Sequence, residues 1–243
     1  MPDPSEQSPQ PLPFPGPWVG GVALILAPLL LLAGVLLRLP FHFFFPQQLA
    51  AFQSHPARMA AAYSLFAVGN VLLWPAVATL CIAISSRRPA WAIWGGTLAI
   101  TGLFARTHSA GIDHLAFQLV RVQNLGAASK AVADSYGAYD IFHALSFAAF
   151  FGWMVLAIGA YLAGVLGLIR SVALALMSIL MLGTLKGTSL TSVIAAGGLC
   201  VAFVPFGFQV LRQGSVPDRR RSLLQALAAI GVIMLFLFLG PRA

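Results

Sequence analysis

The chain has 243 residues, of which 59% are hydrophobic and 8% charged, and its formal net charge is +8. Soluble domains carry about 25% charged residues, so the composition excludes an ordinary soluble domain and predicts an all-α, polytopic transmembrane helix bundle. Nucleic acid is excluded as a partner because the basic residues fall between apolar segments, where they orient spans in a bilayer. The ten-residue alternating segments of an outer-membrane barrel are absent.

Residues 1–17 include Pro2, Pro4, Pro9, Pro11, Pro13, Pro15 and Pro17. Such a stretch favours extended conformations and buries nothing, so it reads as a disordered tail. It lacks the positive n-region of a cleaved signal, and the first span is expected to remain as an anchor. Residues 18–243 read as a single bundle. A span needs about 20 apolar residues, which predicts seven: 18–37, 59–85, 91–120, 137–165, 169–185, 190–211 and 222–239.

The tight basic clusters Arg87-Arg88 and Arg219-Arg220-Arg221 predict a cell-membrane protein with a cytoplasmic N-terminus. The stretch between Arg38 and Arg58 is longer than a turn and rich in phenylalanine. It reads as an interfacial or re-entrant flap, or as a cluster of the aromatic belt. Pro75 and Pro205 should kink the second and sixth spans. Cys81 and Cys200 lie in apolar spans without metal-like spacing and read as small buried hydrophobes.

In span two, Tyr63, Asn70 and Trp74 share a stripe, and Asn70 near mid-membrane must find a hydrogen-bond partner. The third span carries the densest polar signal, in the string from Arg106 to His114 (RTHSAGIDH). At 100° per residue, Arg106, Thr107, Ser109, Asp113, His114, Gln118 and Arg121 fall within about half the circumference. An ionisable side chain within a span disfavours insertion by roughly 3 kcal/mol, which points by default to function. Structural polar glue between helices is the alternative.

Span four opens with Asp140 and His143 on one face. A short loop between spans three and four would make them antiparallel neighbours, bringing Asp113, His114, Asp140 and His143 to similar depths toward the outer leaflet. Phe147, Phe150, Phe151 and Met154 continue inward, as an aromatic shaft or as plain lipid contacts. Thr184, Lys186, Thr188, Ser189, Thr191 and Ser192 crowd the outer turn between spans five and six, where Lys186 either pairs with an anionic substrate head or an aspartate, or the turn is simply solvated.

A carboxylic acid among apolar groups has its ionised form disfavoured and can donate a proton. Aromatic faces attract a cation, and a dry cavity prevents its capture by water. These residues fit acid-initiated cyclisation of a prenylated substrate, through protonation of an isoprenoid alkene or epoxide. In size and design the chain resembles the small integral-membrane terpene cyclases of meroterpenoid and indole-sesquiterpenoid pathways. That resemblance implies a lipophilic prenylated partner and no cofactor.

It covers architecture only. Fungal members place acids in the second and last helices, where this chain has Asn70 and Tyr63 in the one and no acid in the other. Asp113 and Asp140 are therefore nominated from this sequence alone. Two further readings stand beside it. His108, His114, His143 and the aspartates suit zinc in a metal-dependent lipid hydrolase, although no HExxH or HxxxH pair is present and no metal is expected. Asp/His protonation also suits a proton-coupled transporter or sensor. A DDxxD diphosphate site is absent, and the oligomeric state stays open.

Overall fold

The computed structural model describes residues 14–135, 141–180 and 185–214, except the side chain of His143. All regular structure among them is helical: α1 (Gly16–Arg38), α2 (Phe45–Ser54), α3 (Pro56–Ser85), α4 (Pro89–Val122), α5 (Leu125–Ser135), α6 (Ile141–Leu162), α7 (Leu168–Ala175) and α8 (Leu190–Gln213). Four of these helices are long and apolar enough to cross a membrane: α1, α3, the Ala144–Leu162 part of α6, and α8. The chain groups into a compact unit, Met1–Arg212, and a second unit, Gln213–Ala243. Both cores and the candidate site lie within the first.

The expected spans hold in part. α1, α3 and α8 match spans one, two and six within a few residues, and Pro28, Pro75 and Pro205 lie inside these continuous helices. α4 covers span three in 34 residues, but it is not among the four. Its glycines and the polar residues from Arg106 onward lower its mean hydropathy. The expected span 169–185 is not one helix. α7 ends at Ala175, a 3-10 turn runs Leu176–Ile179, and Leu180 is extended. The helical stretch Leu168–Ile179, twelve residues long, is too short to cross hydrocarbon. The link between α4 and α6 is not a short loop either, for it contains α5. The predicted span 222–239 lies outside the described residues.

Lipid is as apolar as leucine, so helices in a bilayer associate by close packing rather than by hiding apolar area from water. Small residues make that approach here. A Cβ on Gly34 of α1 would sit 2.6 Å from the Ala62 carbonyl oxygen of α3, and one on Gly69 would sit 2.9 Å from the Ala27 carbonyl oxygen. Between α4 and α6, a Cβ on Gly102 or Gly152 would collide with Ala149 or Ala99. The main core lies between these helices and includes Leu24, Leu80, Trp153 and Phe203.

A smaller core closes the end of the bundle that holds Arg38. Leu49 and Phe52 of α2 meet Met59, Phe117, Ala128 and Leu185 there. The Phe52 and Phe117 rings stack at 4.4 Å, and Tyr63 meets Phe117 edge-on at 4.8 Å. The phenylalanine-rich stretch after Arg38 is therefore a folded flap, with α2 seated on the helix ends.

Gly34→Leu should separate α1 from α3 and destabilise the protein by about 1–3 kcal/mol, the usual penalty of overpacking. Gly111→Ala meets nothing within 4 Å and should leave stability unchanged or slightly raised. Thermal unfolding of both variants in one detergent makes the comparison.

Candidate functional site

Four helix segments and one irregular strand of chain converge at the Arg38 end. They enclose a chamber of about 40 Å³ whose wall includes Arg38, Tyr63, Arg106, Asp113, Lys186 and Thr188. α4 contributes Arg106, Ser109, Ala110 and Asp113, an i, i+3, i+4, i+7 stripe that one helix face presents as a line. Two turns separate Arg106 from Asp113, about 10 Å along the axis. Among the described residues no ion pair joins them. The stripe therefore spreads its charges along the chamber instead of cancelling them locally.

Asp113 is 8% exposed, and its Oδ1 accepts a hydrogen bond from the Leu185 N–H at 2.5 Å. Leu185 is fully buried and holds φ at +51°. Left-handed backbone costs a non-glycine residue about 1–2 kcal/mol. The carboxylate bond and the packing of Leu185 in the small core offset that cost.

Arg38 holds the same strand of chain from α1. Its Nη1 donates to the Lys186 carbonyl oxygen at 3.3 Å, and its guanidinium lies 4.5 Å from the Tyr63 ring centre and 4.8 Å from that of Phe66. The Gly187 N–H donates to the Phe43 carbonyl oxygen at 2.8 Å. Gly187 has no room for a side chain, since a Cβ would lie 2.6 Å from Gln48 Nε2. Gln48, itself fully buried, donates to the His42 carbonyl oxygen and accepts from the Tyr63 hydroxyl at 3.1 Å. Charges on α1 and α4 and a polar relay from α3 to α2 thus hold the Leu185–Thr188 wall in position.

Arg106 is 6% exposed, and its Nη1 has no hydrogen-bond partner among the described residues. Its guanidinium lies 5.8 Å from the Phe66 ring centre. Thr188 Oγ1 is likewise buried without a partner among the described residues. Among the described residues, two buried guanidiniums and one buried carboxylate thus line a hollow with room for about three waters.

Of the expected site, the chamber brings together Asp113, Arg106 and Tyr63. His114 is exposed on α4, because one residue further along turns the side chain about 100°. Asp140 and the side chain of His143 lie outside the described residues. Asn70 is buried one level deeper, where its Nδ2 donates to the Leu103 carbonyl oxygen at 3.1 Å and to Thr107 Oγ1 at 2.9 Å. Trp74 meets Phe104 at 6.0 Å and does not line the chamber.

The expected aromatic shaft is not a lining. Phe147, Phe150, Phe151 and Met154 are exposed on the surface of α6, because the face of α6 that meets α4 is the small-residue one. Arg38 and Gln48 are the additions that sequence reasoning did not nominate, and Thr188, noted there only as part of a polar turn, is a residue of the wall. Among the described residues no group of three or more His, Cys, Asp or Glu side chains is arranged to hold a metal ion.

Asp113→Ala should orphan the Leu185 N–H and lower stability by about 1–3 kcal/mol. Asp113→Asn retains an acceptor and should lose roughly half as much. Unfolding curves of the two variants in detergent test this, and equal losses would mean that the Leu185 bond contributes nothing. No family model matches this chain, nor does any curated protein or solved structure, so the chamber itself carries the functional argument.

Proposed function

We propose that this chain is a multi-pass protein of the cell membrane that binds the anionic head group of a lipophilic small molecule in the Arg38–Arg106–Asp113 chamber. The observation that carries this reading is the uncompensated charge. Among the described residues, Arg38 and Arg106 are both buried and line the chamber with a single carboxylate, and Arg106 carries a buried donor without a partner. Withdrawing a guanidinium from water costs several kcal/mol unless an anion and further hydrogen bonds restore what is lost. A ligand anion is the missing partner.

The size of the chamber supports head-group binding. Whole small-molecule pockets run to roughly 300–1,000 Å³, whereas about 40 Å³ admits only a polar head. The rest of the molecule would then stay outside. Topology supports the same reading: Arg87, Arg88 and Arg212 fall at the other end of the long helices, which suits a cytoplasmic end there and a chamber toward the outer leaflet.

Acid-initiated cyclisation draws less support from this site. The Asp113 carboxylate already accepts from Leu185, two guanidiniums share its chamber, and fixed positive charge opposes a developing carbocation. The aromatic side chains expected to stabilise such a cation face away from the chamber. Carriage or sensing of an anionic amphiphile accords better with these groups, and it stays closest to the transporter-or-sensor expectation.

Mass spectrometry of lipids that co-purify with the full chain in mild detergent tests the proposal. An anionic amphiphile should accompany the wild type in near-stoichiometric amount and fall at least about tenfold with Arg106→Gln, the effect of losing a charged hydrogen bond. Equal recovery with both proteins, or with neither, would refute it.

A further inference from the structure

We infer that the head group recognised in this chamber is a phosphate-type tetrahedral oxyanion, with Arg106 and Thr188 as direct ligands and Arg38 as the second cation. This rests on the head-group reading above and names its chemistry. Two residues of the chamber wall each carry a buried donor without a partner among the described residues, Arg106 Nη1 and Thr188 Oγ1. Both side chains are about nineteen-twentieths buried, at 6% exposure each. They enter from different elements, Arg106 from α4 and Thr188 from the chain preceding α8.

Arg38 enters from α1, so donors line three sides of the hollow. Its guanidinium plane is held by the Tyr63 and Phe66 rings and by the Lys186 carbonyl. A carboxylate is planar and is satisfied by one bidentate arginine from one side. Donors converging from three elements match oxygens that point in three directions.

The remaining hydroxyls do not compete for this role. Ser109 Oγ donates to the Ala105 carbonyl at 3.2 Å, and Ser192 Oγ is engaged with Ser189. Among the described residues, Asp113 is the one acidic side chain of the wall. Its Oδ1 is turned to the Leu185 N–H, and two guanidiniums outnumber it. A phosphate monoester carries about −1.5 to −2 charges at neutral pH, more than a carboxylate, and so gains more from the surplus. A phosphorylated lipid and free phosphate share this chemistry.

Binding to the full chain in maltoside detergent micelles, which carry no phosphate, separates the possibilities, with phosphatidic acid, oleate and inorganic phosphate as probes. Phosphatidic acid should bind saturably, at least about tenfold more weakly to Arg106→Gln and about three- to tenfold more weakly to Thr188→Val. Thr188→Val keeps the side-chain volume and removes only the hydroxyl, so its effect reports ligation and not folding. Competition by inorganic phosphate against phosphatidic acid identifies the phosphoryl group as the recognised part. Arg106-dependent binding of inorganic phosphate alone assigns the same site to the free ion.

Oleate binding as tightly as phosphatidic acid, with the same dependence on Arg106, overturns the phosphate assignment and leaves head-group binding standing. Phosphatidic acid binding unchanged in both variants overturns the assignment to Arg106 and Thr188. No Arg106-dependent binding of any probe overturns both readings.

Discussion

Burying two guanidiniums at the end of an apolar bundle is the constraint on which the rest of this structure depends. Arg38 and Arg106 keep only 5% and 6% exposure, and each must replace lost hydration with fixed groups. Arg38 does so with its own helix, donating to the Gly34 carbonyl at 3.3 Å, with the Lys186 carbonyl, and with two aromatic rings. Arg106 does so incompletely. Asp113 tempers their field while its oxygen clamps Leu185 in a left-handed turn. The same charges that make the chamber polar therefore also hold its wall against the helices.

That arrangement depends on close helix contacts deeper in the bundle. Gly34 and Gly69 let α1 and α3 touch through their backbones, and Gly102 and Gly152 do the same for α4 and α6. Between α3 and α4 the register is set by Asn70, whose amide ties the Leu103 carbonyl and the Thr107 hydroxyl together. Tyr63, Phe66 and Asn70 lie at i, i+3 and i+7 on α3, so the tie that positions Asn70 also positions the two rings beside Arg38. A polar bond in apolar surroundings is dependable because no water competes for it.

The functional proposals follow from this imbalance of charge and from the size of the chamber. A protein that only needed glue between helices would pair its buried charges or omit them, since well-packed apolar residues of similar volume often cost less. Among the described residues the surplus on the chamber wall is cationic, two of its residues carry unused donors, and a flap formed by α2 covers the helix ends. These features suit selection of a ligand by one charged end.

Much of this was legible in the sequence. Runs of apolar residues announced α1, α3 and α8, because hydrocarbon thickness sets a length that local composition alone reveals. The polar stripe of α4 was visible for the same kind of reason: helical geometry converts the spacing of Arg106, Ser109 and Asp113 into one face without reference to any neighbour. Other features needed the tertiary structure. Arg38 ends an apolar helix, as any orienting arginine does, and only the flap and the Leu185–Thr188 wall remove it from water. The broken segment after α7 has the same apolar composition as a spanning helix. The outward turn of Phe147 and Phe151 depends on which face of α6 meets α4. Sequence by itself determined which segments seek an apolar environment and which face of α4 is polar, because both are properties of one helix. Burial of a charge and the side on which an aromatic residue packs depend on segments remote in the chain, and only the assembled bundle decided them.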